Sequence, residues 1–378
     1  MTTLNFMTTT LFEHGATRQL PAVLARLGVR RPLLCTDPGL VKAGVVSEIE
    51  TVLAEAVVVT RFADTPANPT EAAVLQASAL YREQGCDGLV AVGGGSSIDL
   101  AKAVALAVTH EGDLLHYTAG MGGMERIGPV APLVAVPTTA GTGSEVSSGS
   151  VLIMNNGDKL ILASGHLIPR TAVCDPQLTL GLPPQLTAAT GMDAVTHCIE
   201  AVLSPQVNPP AEAVGLDGIR RSLGEGHLLR VVQDGQDANA RWNMMMASTE
   251  GAMAFSKGLG AVHAMSHACG ALQDLKLHHG TLNAVILPAI LEFNSDHVGD
   301  KYDRIREAAR LPGQQDLADF VRDLNANLDL PPSLAAMGVT EAQIPWLAEH
   351  AARDVCTFTN PRPADVKAYE SLFARALG

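Results

Sequence analysis

Polar side chains able to hold a metal ion stand out in an otherwise apolar C-terminal half of this sequence. Asp193 and His197 lie four residues apart, and His263 and His267 repeat that spacing. Four residues is about one helical turn, so each pair shares one face of a helix. His278 and His279 follow, directly before Gly280. A carboxylate and several imidazoles meeting at one point suit iron or zinc rather than calcium. A single histidine on an apolar helix is more often a hydrogen-bonded core group than a ligand. Two such pairs among Ala, Gly, Met and Val shift that balance, because buried polar groups are costly unless paired or metal-bound. The chemistry this set permits is Lewis-acid activation of an alcohol oxygen, with a nearby histidine relaying the hydroxyl proton.

A second set of residues suits a dinucleotide. Gly93-Gly94-Gly95-Ser96-Ser97 follows an apolar run and precedes a helical one. Glycines let the backbone approach a ligand closely, and the N–H groups opening the helix favour an anion. That makes a pyrophosphate cradle, although a tight strand-to-helix turn has the same composition. The usual GxGxxG fingerprint near the N-terminus is missing. Asp37 ends an early apolar run, where a carboxylate can accept from an adenosine ribose and repel a 2′-phosphate. It favours NAD over NADP, though Asp before Pro-Gly is also an ordinary turn residue. A second loop, Pro137 to Glu145, carries hydroxyls and small residues suited to nicotinamide and ribose.

These residues need elements to position them. RRPLLCTD, CDGLVAVGGG and APLVAVPTT read as buried strands, with helices over PTEAAVLQASALYREQG and IDLAKAVALAVTH. Apolar strands alternating with helices predict a parallel sheet covered on both faces. Past Leu182-Pro183-Pro184 strand signals vanish. PQLTAATGMDAVTHCIEAVLS, PAEAVGLDGIRRSLGEG, NARWNMMMASTEGAMAF and GAVHAMSHACGAL all read as helices. The reading is an α/β domain over 1–180 and an all-helical domain over 181–378. A chain of 378 residues exceeds what one core usually supports.

Bulk properties narrow the function class. Hydrophobic residues make up 47% and charged residues 17%, ample for a large core. The formal net charge of −13 argues against nucleic acid and against an anionic membrane surface. Six scattered cysteines form no CxxC, so neither a disulfide framework nor a cysteine-based zinc site is expected. The opening MTTLNFMTTT lacks the basic and apolar regions of a signal peptide. No window is long and apolar enough for a membrane span. A reducing cytoplasm is the expected location.

GGGSSIDLAK, PTTAGTGSE, DPQLTLGLPP, GMDAVTHCIEA, GAVHAMSHACGA and HGTLNAVILP, in this order, resemble the signatures of the iron-containing (group III) alcohol dehydrogenases. The resemblance covers nearly the whole chain. It implies an N-terminal dinucleotide-binding α/β domain with a parallel sheet and an all-helical C-terminal domain, the architecture shared with dehydroquinate synthases, with the active site in the cleft between. It implies a metal-dependent, NAD-linked exchange of hydride between a small alcohol and its aldehyde or ketone. The metal ligands it implies are Asp193, His197, His263 and His279, the last chosen over His278 because the family's ligand directly precedes glycine. The metal would be Fe2+, with Zn2+ an option. His267 takes proton relay or substrate orientation. Gly94, Gly95, Ser96, Thr138, Thr139 and Ser144 fall on cofactor contacts, Lys159 lies near the cofactor, and Asp37 sets NAD preference. Asp99 caps or orients the glycine loop, and Lys102 is read as solvated helix surface. A homodimer or larger homo-oligomer is implied.

Two departures bear on the substrate. The stretch AFSKGLGAVHA is one residue shorter than the family often has, with Lys257 where Asn is common. Lys257 is either a cation for an acidic substrate or, as the plainer reading, a solvent-facing lysine at a bend. His278 adds a polar group to the pocket. Competing activities on the same scaffold are a maleylacetate reductase, which looks metal-independent and usually lacks the aspartate, a hydroxyacid–oxoacid transhydrogenase, and a flavin-independent sugar-acid oxidase. A non-catalytic, filament-forming scaffold would be expected to have lost ligands.

Overall fold

The computed structural model describes residues 2–5 and 8–378; part of the opening segment, at Met1, Phe6 and Met7, lies outside the described residues. The chain forms two compact units, one running to Thr139 and resuming over Gly143–Thr179, the other comprising Ala140–Thr142 and Leu180–Gly378.

In chain order the first unit contains β1 (Thr2–Asn5), β2 (Thr9–Phe12), α1 (Leu20–Leu27), β3 (Pro32–Cys35), α2 (Pro38–Lys42) and α3 (Val45–Leu53). It continues with β4 (Thr60–Phe62), α4 (Glu71–Glu83), β5 (Gly88–Gly93), α5 (Gly95–Ala107), β6 (Leu133–Pro137), β7 (Gly149–Ile153), β8 (Lys159–Ala163) and β9 (Thr171–Cys174). The main sheet has the order β1-β2-β9-β6-β5-β3-β4. All neighbours pair in parallel except β1 with β2. Successive strand residues point to opposite faces, and the two faces carry separate cores. Leu33, Cys35, Leu89, Ala91, Leu133 and Ala135 pack on one side. Leu34, Val90, Val92, Val134, Val136 and Val173 pack on the other. Burial on both faces explains why these strands read as continuous apolar runs.

The sequence reading missed β1 and β2, the separate antiparallel hairpin β7–β8, and β9. Short threonine-bearing strands such as TTLF carry little hydrophobic periodicity. The hairpin did carry a turn signal, Asn155-Asn156-Gly157-Asp158, with Gly157 at φ 90°.

The second unit is helical: α6 (Pro184–Leu203), α7 (Pro209–Ile219), α8 (His227–Gln233), α9 (Ala238–Ala254), α10 (Ala261–Gly270), α11 (His279–Asn294), α12 (Lys301–Ala308), α13 (Leu317–Asn327), α14 (Ile344–Arg353) and α15 (Val366–Leu377). A five-residue π-helical turn over Arg220–Gly224 extends α7. From Thr187 to Leu203, α6 is buried all round, which marks it as the central helix of this unit. Gly280 lets α11 come close to it, since a Cβ there would lie 2.2 Å from the Ala189 carbonyl oxygen. Pro288 lies inside α11 and has no N–H for the carbonyl of Ala284. Asn325 of α13 supplies the missing donor, its Nδ2 lying 2.7 Å from that oxygen. The helix that carries His279 is thereby kept regular past its proline.

Candidate metal centre and cofactor loops

Three helices of the helical unit bring these residues together. Asp193 and His197 project from α6, His263 from α10 and His279 from the first turn of α11. The Oδ1 atom of Asp193 lies 3.8 Å from His197 Nε2, 3.9 Å from His263 Nε2 and 3.7 Å from His279 Nε2. An ion about 2.1 Å from each donor would set them roughly 3 to 3.5 Å apart. The ligand atoms of Asp193, His197 and His263 all lie within 4.8 Å of one another, and His279 approaches this trio through Asp193 Oδ1. Asp193, His197 and His263 are buried, whereas the His279 side chain is 27% exposed and forms the open side.

The imidazole tautomers fit a cation. His197 Nδ1 lies 3.3 Å from the Gly141 carbonyl, His263 Nδ1 2.5 Å from Glu200 Oε2 and His279 Nδ1 3.3 Å from Ser266 Oγ. Each Nδ1 thus has an oxygen to donate to, which leaves each Nε2 as a lone pair facing Asp193. Burial pushes His197 down to about 4, against the opposing pull of Asp193, so its ring is neutral near pH 7. Burial also pulls on His263, but Glu200 and Asp193 outweigh it and raise its pKa, so a proton competes with a cation for that nitrogen.

Two supporting carboxylates escaped the sequence reading. Glu200 orients His263 through Oε2 and accepts from the Val262 N–H, at the start of α10, through Oε1 at 2.8 Å. Asp354 accepts from His267 Nδ1 at 2.9 Å. Burial raises the Asp354 pKa, but His267 and the Cys356 N–H outweigh it and hold the carboxyl below its usual range. His267 stacks on His279, with ring centroids 5.5 Å apart. A third missed residue is Asn283, one turn beyond His279 on α11.

In the first unit, Asp37, Gly94, Gly95, Ser96, Thr138 and Thr139 lie just past the C-terminal ends of β3, β5 and β6, which are neighbours in the sheet, whereas Asp99 lies inside α5 and Lys159 opens β8 of the separate hairpin. The C-terminal ends of strands are where open α/β sheets bind ligands. Gly93 pairs with Pro137, and the Thr138 N–H donates to the Gly93 carbonyl at 3.0 Å. A Cβ on Gly93 would lie 2.4 Å from Ser97 Oγ, so the tight turn requires glycine. Gly94 is the N-cap of α5 and offers no side chain to its first N–H groups, which remain suited to a phosphate. Gly94 and Gly95 thus open α5 directly after β5. The Ser96 hydroxyl donates to the Ala67 carbonyl at 2.5 Å, which leaves its backbone N–H for a ligand. Lys159 Nζ lies 3.3 Å from Asn68 Oδ1, and Thr138 is buried while Thr139 is partly exposed. Asp37 is the N-cap of α2, accepting from the Gly39 and Leu40 N–H groups.

Several expectations change. Lys102 is fully buried, not solvated surface: its Nζ donates to Ser144 Oγ, to Ser147 Oγ and carbonyl, and to the Gly149 carbonyl. Burial lowers its pKa to about 8. Helix α5 is apolar nearly all round, so it has no wet face to offer a lysine. Asp99 does not cap its own glycine loop. It accepts from Ser144 Oγ at 2.6 Å and from the Val151 N–H at 2.9 Å, tying the second loop and β7 to α5. Ser144 is thus a buried anchor of that loop. Lys257 is not solvent-facing either. It is buried, with Nζ 2.6 Å from Glu212 Oε2 and 3.1 Å from the Val202 carbonyl, so its charge is already neutralised. His278 is exposed and caps α11, its Nδ1 accepting from the Thr281 N–H.

Comparison with known proteins shows the family. Residues 7–176 match the family model described as iron-containing alcohol dehydrogenase, and residues 187–377 match that of the C-terminal part of the Fe-containing alcohol dehydrogenase family. The chain is 50% identical to a 4-hydroxybutyrate dehydrogenase of Cupriavidus necator, over 100% of both chains. It is 34% identical to an NAD-dependent methanol dehydrogenase of Bacillus methanolicus, covering 96% of this chain and 97% of that one. A crystal structure of a 1,3-propanediol oxidoreductase superposes with a TM-score of 0.92 at 35% identity, covering 99% of this chain and 98% of that one.

Proposed function

The chain belongs to the iron-containing alcohol dehydrogenase family, and from that premise we propose how its residues divide the work and which alcohol it takes. It is an NAD-dependent alcohol dehydrogenase, exchanging hydride between NAD(H) and a small alcohol or its aldehyde. Asp193, His197, His263 and His279 hold a divalent ion, with iron the first choice and zinc the second. The observation that carries this reading is that three Nε2 lone pairs face one carboxylate oxygen, each with its Nδ1 occupied elsewhere. It also favours this reading over maleylacetate-reductase-like chemistry, which looks metal-independent.

When bound, the ion supplies Lewis-acid polarisation of the substrate oxygen, and the nicotinamide accepts or returns the hydride. The protein does the rest. Asp354 holds His267 with its proton on Nδ1, so Nε2 is free to take the alcohol proton during oxidation and return it during reduction. Glu200 and the Gly141 carbonyl keep His263 and His197 in the required tautomers. The N-terminus of α5, with Gly94, Gly95 and the Ser96 N–H, takes the pyrophosphate. Thr138, Thr139 and Lys159 border the rest of the cofactor. Asp99, Lys102 and Ser144 act by fixing the loop that carries them.

The substrate we assign is a short ω-hydroxy acid of the 4-hydroxybutyrate kind, on the strength of the full-length identity to that relative. Lys257 is committed to Glu212 and is not its carboxylate partner. An NADH-oxidation panel tests the assignment. The aldehyde of 4-hydroxybutyrate should give a higher kcat/KM than uncharged aldehydes of equal length. Equal or better turnover of the uncharged compounds would exclude it. For location and assembly we infer a reducing cytoplasm, with which six free cysteines agree, and, from the family resemblance alone, a homo-oligomer of at least two chains. Among the described residues no helix is long and apolar enough to cross a membrane.

Asp37 gives a separable prediction. Asp37→Gly and Asp37→Ser both remove the charge that would oppose a 2′-phosphate. Serine also remains a good N-cap, so it spares α2 the roughly 1 kcal/mol lost with a poor cap. Asp37→Ser should therefore raise the NADPH-to-NADH ratio of kcat/KM by about tenfold with little change in Tm. An unchanged ratio would leave Asp37 as a cap only.

A further inference from the structure

Asn283 is fully buried on α11, between Leu282 and Ala284, where an apolar residue would be the ordinary choice. Its Nδ2 lies 2.7 Å from Asp193 Oδ1 and 3.3 Å from both His263 Nε2 and His279 Nε2. Its Oδ1 is buried and has no hydrogen-bond partner among the described residues. We infer that Asn283 is a positioning residue of the metal centre: its amide selects which oxygen of Asp193 faces the three imidazoles and holds it there. The inference rests on the metal reading of this site.

Exchanging the N and O of the Asn283 amide would put an oxygen 2.7 Å from a carboxylate oxygen with no proton between them. The Asp193 Oδ1 acceptor therefore fixes Nδ2 inward, and the unpaired Oδ1 of Asn283 is the consequence. A buried acceptor without a partner is costly, so the amide has to contribute something that leucine or alanine would not. Its contribution is a donor to Asp193 Oδ1, the same atom that lies 3.7 to 3.9 Å from the three Nε2 atoms. One turn of α11 thus carries both a ligand, His279, and the group that aims the carboxylate at it. A hydrogen-bonded ligand oxygen keeps its direction, whereas an unheld carboxylate can rotate about its terminal torsion and offer either oxygen or both.

The test uses Co2+ as probe, in the full-length protein, with Asn283→Leu and Asn283→Ala. Three readings are taken: the rate of Co2+ release to EDTA, the visible absorption of bound Co2+, and NADH binding. Both variants should release Co2+ about 10 to 100 times faster than the parent. They should also show a shifted Co2+ band, reporting a changed carboxylate, while NADH binding stays as in the parent. Parent-like release and an unshifted band in both variants would overturn the inference while leaving the metal reading intact. Failure of the parent itself to bind one Co2+ would overturn the metal reading, and the inference with it. If both variants unfold even with Co2+ present, Asn283 is a core residue and the inference is wrong.

Discussion

His263→Ala, or Asp193→Ala, is expected to remove the bound ion and to lower kcat/KM by about a thousandfold or more, while NADH binding is retained. The size follows from what Lewis-acid stabilisation of the developing oxygen charge contributes, several kcal/mol, at about 1.4 kcal/mol per tenfold in rate. Asp193 Oδ1 is the atom common to all three short approaches, so its loss leaves the three Nε2 atoms with no carboxylate facing them. Removing His263 also strands Glu200, whose Oε2 lies 2.5 Å from His263 Nδ1. The α5 phosphate cradle belongs to the other unit, which is why cofactor binding should survive. Metal content per chain and NADH titration check the two halves separately. A variant that loses both together would point to misfolding rather than to loss of a ligand.

Asp354→Asn should lower kcat by about a hundredfold with metal content unchanged, the smaller end of what a positioned acid–base group contributes. Asp354 accepts from His267 Nδ1 and so leaves Nε2 free to take a proton. An asparagine can instead donate to Nδ1, which moves the ring proton to Nε2 and removes its ability to accept. The fall should appear in kcat with KM little changed, accompanied by a larger solvent isotope effect. A parent-like kcat would remove His267 from proton transfer.

Much of this centre was legible in the sequence because it uses local spacing. Asp193 with His197, and His263 with His267, are single-turn pairs, and one buried helix explains each. Glu200 was legible by the same rule, three residues beyond His197 on α6, but a carboxylate that orients a ligand has no signature distinct from a surface glutamate. Asp354 was not legible. It lies 87 residues from His267, and only folding brings them together. Lys102 and Lys257 were misread for one reason: lysine was taken as solvated, although α5 has no polar face and Glu212 lies ready to pair. The sheet was read from its longer apolar strands, and the strands missed were short and threonine-bearing, or belonged to a hairpin whose Asn-Asn-Gly-Asp turn signal was overlooked.

The most direct test is the rate of NADH oxidation with the aldehyde of 4-hydroxybutyrate, measured on one preparation before chelation, after complete metal removal and after Fe2+ is restored. The residues described here predict turnover that falls to background on removal and returns with the ion. Undiminished turnover in metal-free protein would contradict them, and Asp193 with its three histidines would then need another explanation.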